Sequence, residues 1–128
     1  MIAHIGIVVS DIEASKKFYA AALQPIGYQM IRAYGVTPTR PAASAGFGVP
    51  PRADLWLYQG DPGKVTTHIA FETASRKQVD DFYAAAIAAG AKDNGKPGLR
   101  PQYSANYYGA FVLDPDGYNV EATCRAAE

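Results

Sequence analysis

Cysteine occurs once, at Cys124, so no internal disulfide framework is available. A reducing, cytoplasmic compartment is the natural expectation for such a chain. Histidine occurs twice and tryptophan once in 128 residues, so chemistry that needs either ring has few places to sit. Neither sign of charge predominates: 12 Lys and Arg face 12 Asp and Glu, with no basic run. That balance argues against nucleic acid or an anionic membrane surface as the main partner. No apolar stretch reaches the roughly 18 residues of a membrane span. Residues 1–10 are apolar but have no basic leader and no small-residue cleavage site, and Asp11 and Glu13 follow at once. The segment reads as a strand rather than a signal peptide. What is present, 48% hydrophobic and 19% charged residues, describes one globular domain able to bury roughly two-thirds of its unfolded surface.

The sequence matches itself at an offset of 64 residues: His4-Ile5 falls on His68-Ile69, the run from Phe18 to Leu23 on that from Phe82 to Ile87, Phe47 on Phe111 and Pro51 on Pro115. Residues 1–128 thus read as a single domain made of two modules, about 1–64 and 65–128, each too small to bury its own apolar face. Both open with period-two alternation, Ile5, Ile7 and Val9 in one and Ile69 and Phe71 in the other, which predicts strands. Asp11 and Ser75 are suited to cap helices, and Val79, Phe82, Tyr83, Ala86 and Ile87 follow helical spacing up to Gly90, a C-terminal stop. Apolar runs at 27–33, 45–49 and 55–58 in the first module, and at 107–113 and 118–124 in the second, predict further strands. Asp114-Pro115-Asp116-Gly117 is a turn between the last two. Residues 34–44 and 93–106 read as long loops of the kind that rim binding sites. The expected class is α+β, with strand, helix and an antiparallel meander in each module.

Strand parity sorts the chemistry. If Ile5, Ile7 and Val9 pack on the helix, then His4, Gly6 and Val8 face away from it. By the same rule His68 and Ala70 oppose Ile69 and Phe71, and Glu121 opposes Val120 and Ala122. The only two histidines therefore occupy one register of two copies of a module, on one face with a carboxylate, beside the small residues Gly6 and Ala70. Two neutral imidazoles and a carboxylate suit a divalent metal such as Zn, Fe, Mn, Co or Ni and leave positions open for water or substrate. Cys124 falls by parity on the helix-packed face and reads as packing.

The contexts His4-Ile5-Gly6-Ile7, Thr67-His68-Ile69-Ala70-Phe71 and the run from Asp114 through Gly117 to Glu121 resemble those of the glyoxalase, bleomycin-resistance and extradiol-dioxygenase superfamily, the vicinal oxygen chelate proteins. The resemblance spans nearly the whole chain. It implies two paired βαβββ modules curved around a divalent metal, a homodimer, and His4, His68 and Glu121 as metal ligands, with Glu121 also catalytic. Departures narrow the chemistry: glyoxalase I enzymes use four protein ligands, and the mate of Glu121 falls near Trp56 or Leu57. Extradiol dioxygenases add a further histidine, which this chain lacks. Fosfomycin-resistance thiol transferases carry a hydroxyl residue where Gly6 stands.

Trp56, Tyr58, Tyr103 and Tyr107 are candidates for an aromatic substrate wall, and Arg100 for an anionic group. Arg40, Arg52 and Lys64 also lie in or beside loops. Two functions from different classes follow. One is a metal-dependent enzyme that chelates vicinal oxygens of a small, possibly anionic substrate, of lyase, isomerase or dioxygenase type. The other is a bleomycin-resistance-like protein that binds its ligand without catalysis. A binder has no chemical need of two histidines and a glutamate on one face, which favours the enzyme.

Overall fold

The computed structural model describes residues 1–64 and 66–128; Val65, the first residue of the expected second module, lies outside them. The order of elements is β1 (Ile5–Val9), α1 (Ile12–Leu23), a 3₁₀ turn (Gln24–Ile26), β2 (Gln29–Tyr34), β3 (Ser44–Gly48), β4 (Leu55–Gln59), β5 (His68–Glu72), α2 (Arg76–Ala88), β6 (Lys92–Leu99), β7 (Tyr108–Leu113) and β8 (Asn119–Cys124). The fold is α+β. Two four-stranded sheets run β1-β4-β3-β2 and β5-β8-β7-β6. In each, the first strand pairs in parallel with the last, and the remaining pairs are antiparallel.

Local chemistry starts and stops the helices as the sequence suggests. The Asp11 carboxylate accepts from the Ala14 N–H, and the Ser75 hydroxyl accepts from the Gln78 N–H, each satisfying an N–H that the first turn leaves unpaired. Gly90 follows α2 at φ 98°, a left-handed conformation that a side chain would strain. The strand faces alternate as expected: Ile7 and Val9, and Ile69 and Phe71, are buried, while Gly6, Val8, His68 and Ala70 are exposed.

Two expectations need correction. Residues 93–99 are not loop but most of β6, which pairs with β7 through two irregularities, one of them at Gly95 with φ 152°. As an edge strand, β6 tolerates Pro97, and its Gly- and Pro-rich sequence carries no alternation from which a strand could be read. The Phe47–Phe111 match is also not an equivalence. Gly46 pairs with Trp56 in the first sheet, and Phe111 pairs with Glu121 in the second. The second module has gained one residue before β7, so the fixed offset flips the face: Phe47 is buried against Tyr19, and Phe111 lies on the open side.

One apolar core spans both modules, joining Val9, Tyr19 and Phe47 of the first to Phe71, Phe82 and Val120 of the second. Helices α1 and α2 touch, and polar contacts close the seam. The Tyr19 hydroxyl donates to Asp114 Oδ2 at 2.6 Å, while Asp114 Oδ1 accepts from the N–H groups of Asp116 and Tyr118. The Tyr118 hydroxyl donates to the Val8 carbonyl at 2.7 Å. Tyr28 sets its ring edge-on to Phe71 and donates to Asp54, and burial, with that bond, pushes its hydroxyl pKa up to about 12. No helix among the described residues is long and apolar enough to cross a membrane.

Candidate functional site

With the helix-facing sides committed to the core, the opposite sheet faces are where chemistry can sit. On the second sheet, the parallel β5–β8 ladder sets His68 beside Asn119 and Ala70 beside Glu121. His68 is about half exposed, whereas the Glu121 side chain is 3% exposed. His68 Nδ1 lies 3.2 Å from the Asn119 carbonyl oxygen. A carbonyl only accepts, so Nδ1 donates in this contact, which leaves Nε2 as the other functional edge of the ring. Nε2 then faces Glu121 Oε2 at 3.1 Å.

The other carboxylate oxygen, Oε1, accepts from the Tyr107 hydroxyl at 2.5 Å. Tyr107 reaches it by crossing Gly109, where a Cβ would stand 3.1 Å from Oε1 and 3.2 Å from the tyrosine ring. An added methyl group there would force the carboxylate or the ring to give by a few tenths of an ångström. Burial, then the hydrogen bond to Glu121, raises the Tyr107 hydroxyl above its ordinary pKa, so it stays a donor at neutral pH. Phe111 stacks on His68 with centroids 6.3 Å apart. The Arg100 guanidinium lies over Phe111 and donates to the carbonyls of Leu99 and Lys96.

The first sheet presents a different half. In β1–β4, Gly6 pairs with Trp56 and Val8 with Tyr58. Trp56 therefore stands to Gly6 as Glu121 stands to Ala70, and it, not Leu57, is the register mate of the glutamate. The Tyr58 ring occupies the space over Gly6, and the Trp56 ring the space over Gly46. Both aromatics line a cavity of about 670 Å³ with His4, Tyr34, Arg40 and Ser44. Trp56 is parallel to Tyr34, at 3° between planes and 6.1 Å between centroids.

Of the sequence-derived candidates, His68, Glu121 and Tyr107 come together, and His4, Trp56 and Tyr58 come together. Tyr103 and Arg100 border a separate cavity of about 290 Å³ with Asn94, Phe111 and Asn119. His4 is not brought to His68 and Glu121: among the described residues, no three His, Cys, Asp or Glu side chains stand close enough to hold one metal ion. β1 and β5 are nonetheless edge strands of their sheets, and both border a cavity of about 370 Å³. Cys124 is fully buried, as its parity required. Sequence reasoning missed Tyr34 as a wall of the large cavity and Tyr107 as the partner of Glu121. The second was within reach once β7 and β8 are paired around the Asp114–Gly117 turn.

A family model for the Glyoxalase/Bleomycin resistance protein/Dioxygenase superfamily matches residues 1–122. The chain belongs to this superfamily. No curated protein matches the sequence. Among solved structures, a glyoxalase/bleomycin resistance protein from Albidiferax ferrireducens T118 is similar at 28% identity and TM-score 0.75, over 96% of this chain and 98% of that one. A glyoxalase I mutant from Zea mays is similar at 26% identity and TM-score 0.72, over 95% of this chain but 46% of that one. The fosfomycin resistance protein FosX from Listeria monocytogenes, as a mutant complexed with Mn(II) and 1S,2S-dihydroxypropylphosphonic acid, shares the fold at 22% identity and TM-score 0.68, over 95% of this chain and 90% of that one. The two-module α+β architecture of this glyoxalase-superfamily chain is thus that of its structural neighbours.

Proposed function

We propose that this chain is a metal-dependent enzyme acting on a small substrate with two neighbouring oxygens, and that His68, Glu121 and His4 are its ligands. The observation that carries the reading is the convergence of His68 Nε2 and Glu121 Oε2, 3.1 Å apart. With Nδ1 committed to a carbonyl, Nε2 is the ring nitrogen left to face the carboxylate, and a cation between the two would take both as ligands. Two donors each about 2.1 Å from one ion, at a near right angle, stand about 3 Å apart, so the pair fits a divalent metal.

A bound ion of the Zn, Mn, Fe, Co or Ni type supplies Lewis-acid stabilisation of an enolate or oxyanion. The chain's own groups do the rest. Tyr107 pins Oε1 so that Oε2 faces His68, and Asn119 fixes the imidazole tautomer, the outer contacts that orient ligands. Glu121, which accepts a hydrogen bond from the Tyr107 hydroxyl, is the residue we assign to proton transfer.

His4 is the equivalent of His68 on the other module and completes the set from a second copy of the chain. The exposed Gly6, Val8 and Ala70 beside the histidines support a homodimer contact on these faces. Metal analysis of protein purified without chelator tests the reading. It predicts about one divalent ion per chain, lost in His68→Ala. Metal-free protein, or equal content in the variant, contradicts it. A metabolite screen on the loaded protein then identifies the reaction.

A further inference from the structure

The cavity beside Trp56 differs in chemistry from the His68–Glu121 pair, and the difference specifies a ligand. Its walls are flat and aromatic: Trp56, Tyr34 and Tyr58 line it with His4. None of the described residues lining it is acidic, and its one full charge is Arg40. The Arg40 guanidinium lies on the Tyr34 ring, 3.8 Å from the centroid, and forms no ion pair among the described residues. A guanidinium stacked on a ring keeps its N–H edge free, and that edge matches a carboxylate in two parallel hydrogen bonds. The cavity's size, about 670 Å³, is in the range of small-molecule sites.

We propose that this cavity binds a planar aromatic or conjugated carboxylate, its ring against Trp56 and Tyr58 and its carboxylate on Arg40. Because His4 lines this cavity, it adjoins the metal centre proposed above; the ligand contacts named here are Trp56, Tyr58 and Arg40, and binding in chelator separates them from the ion. The replacement of a glutamate-equivalent by Trp56 explains why the two halves differ: one module keeps a carboxylate facing its histidine, and the other offers a stacking surface.

The test is calorimetry with naphthoate, the neutral naphthylmethanol and the non-planar cyclohexanecarboxylate, in chelator, on wild type, Arg40→Gln and Glu121→Gln. Because Trp56 is the one tryptophan, its single indole N–H peak in an amide NMR spectrum reports where the ligand sits. Naphthoate is expected to bind saturably and shift that peak, with the other two probes at least about 10-fold weaker. Arg40→Gln should cut naphthoate affinity about 10- to 100-fold, the scale of one charge-assisted pair, and leave naphthylmethanol unchanged. Glu121→Gln should bind naphthoate as wild type does. Naphthylmethanol binding as tightly as naphthoate, an unaltered Arg40→Gln, or no saturable shift of the indole peak overturns the proposal. So does naphthoate binding that requires added metal or Glu121, because the carboxylate would then sit on the ion. If naphthoate binds in chelator while purified protein holds no metal, the enzyme reading fails and this site remains.

Discussion

Replacing Tyr19 by Phe removes a single oxygen from the seam between the modules. Tyr19 is fully buried, and its hydroxyl is the side-chain donor to Asp114, at 2.6 Å. A hydrogen bond to a charged group contributes about 1.5–3 kcal/mol, and its loss leaves the carboxylate with backbone donors alone. We therefore expect Tyr19→Phe to lower stability by about 2 kcal/mol, roughly 8 °C in Tm for a chain of this size. The loss should depend on pH. Burial lifts the Asp114 carboxyl above its ordinary pKa, against the hydrogen bonds from Tyr19, Tyr118 and Asp116 that pull it down. The folded chain thus holds that proton more tightly than the unfolded one, and the stability this contributes is present at low pH and lost as pH rises through the folded pKa. Without the Tyr19 hydroxyl the pKa rises further, so the deficit is largest at neutral pH and shrinks as pH falls toward the ordinary aspartate range of about 4. Urea unfolding followed by circular dichroism on both proteins measures it. A loss below about 0.5 kcal/mol at neutral pH, the size of a surface substitution, or a loss that grows on acidification refutes the reasoning.

Tyr107→Phe frees Glu121 Oε1 and should weaken metal binding about 10- to 100-fold, while metal-free stability falls by about 1–2 kcal/mol. Isothermal titration and thermal melting separate the two effects, and unchanged metal affinity would remove Tyr107 from the site. Light scattering should report a dimer at micromolar concentration. In co-expressed His4→Ala and Glu121→Gln chains, random pairing should restore about a quarter of the wild-type metal sites, because half the dimers carry one intact site. Restoration of none would mean that all ligands come from one chain.

Much of this was legible from residues alone. Alternation in Ile5–Val9 and His68–Glu72 identifies the strands and the face that carries each histidine, because a half-buried strand must alternate. The caps at Asp11 and Ser75 are legible for the same local reason. The register between strands is not local, and there the sequence misleads. Phe47 and Phe111 match by letter, yet one added residue puts them on opposite faces. That shift also leaves the mate of Glu121 between Trp56 and Leu57 until the strand register settles it on Trp56. β6 is invisible because pairing with β7 holds its Gly- and Pro-rich chain extended, not propensity. Asp114 reads as a turn residue and is one, but its second oxygen binds a tyrosine from the other module, a contact across 95 positions that no local pattern encodes.

The central claim is a divalent metal held by His68, Glu121 and His4. Its most direct test is the unfolding temperature of the apo protein and of Glu121→Gln, titrated with Zn, Mn, Fe, Co and Ni. Glu121→Gln keeps the side-chain volume and removes the charge that offsets the cation. The account predicts that wild type gains stability from at least one of these ions, as binding to the folded state requires, and that Glu121→Gln folds but gains little. A wild type that no ion stabilises, or a variant that responds equally, would contradict it.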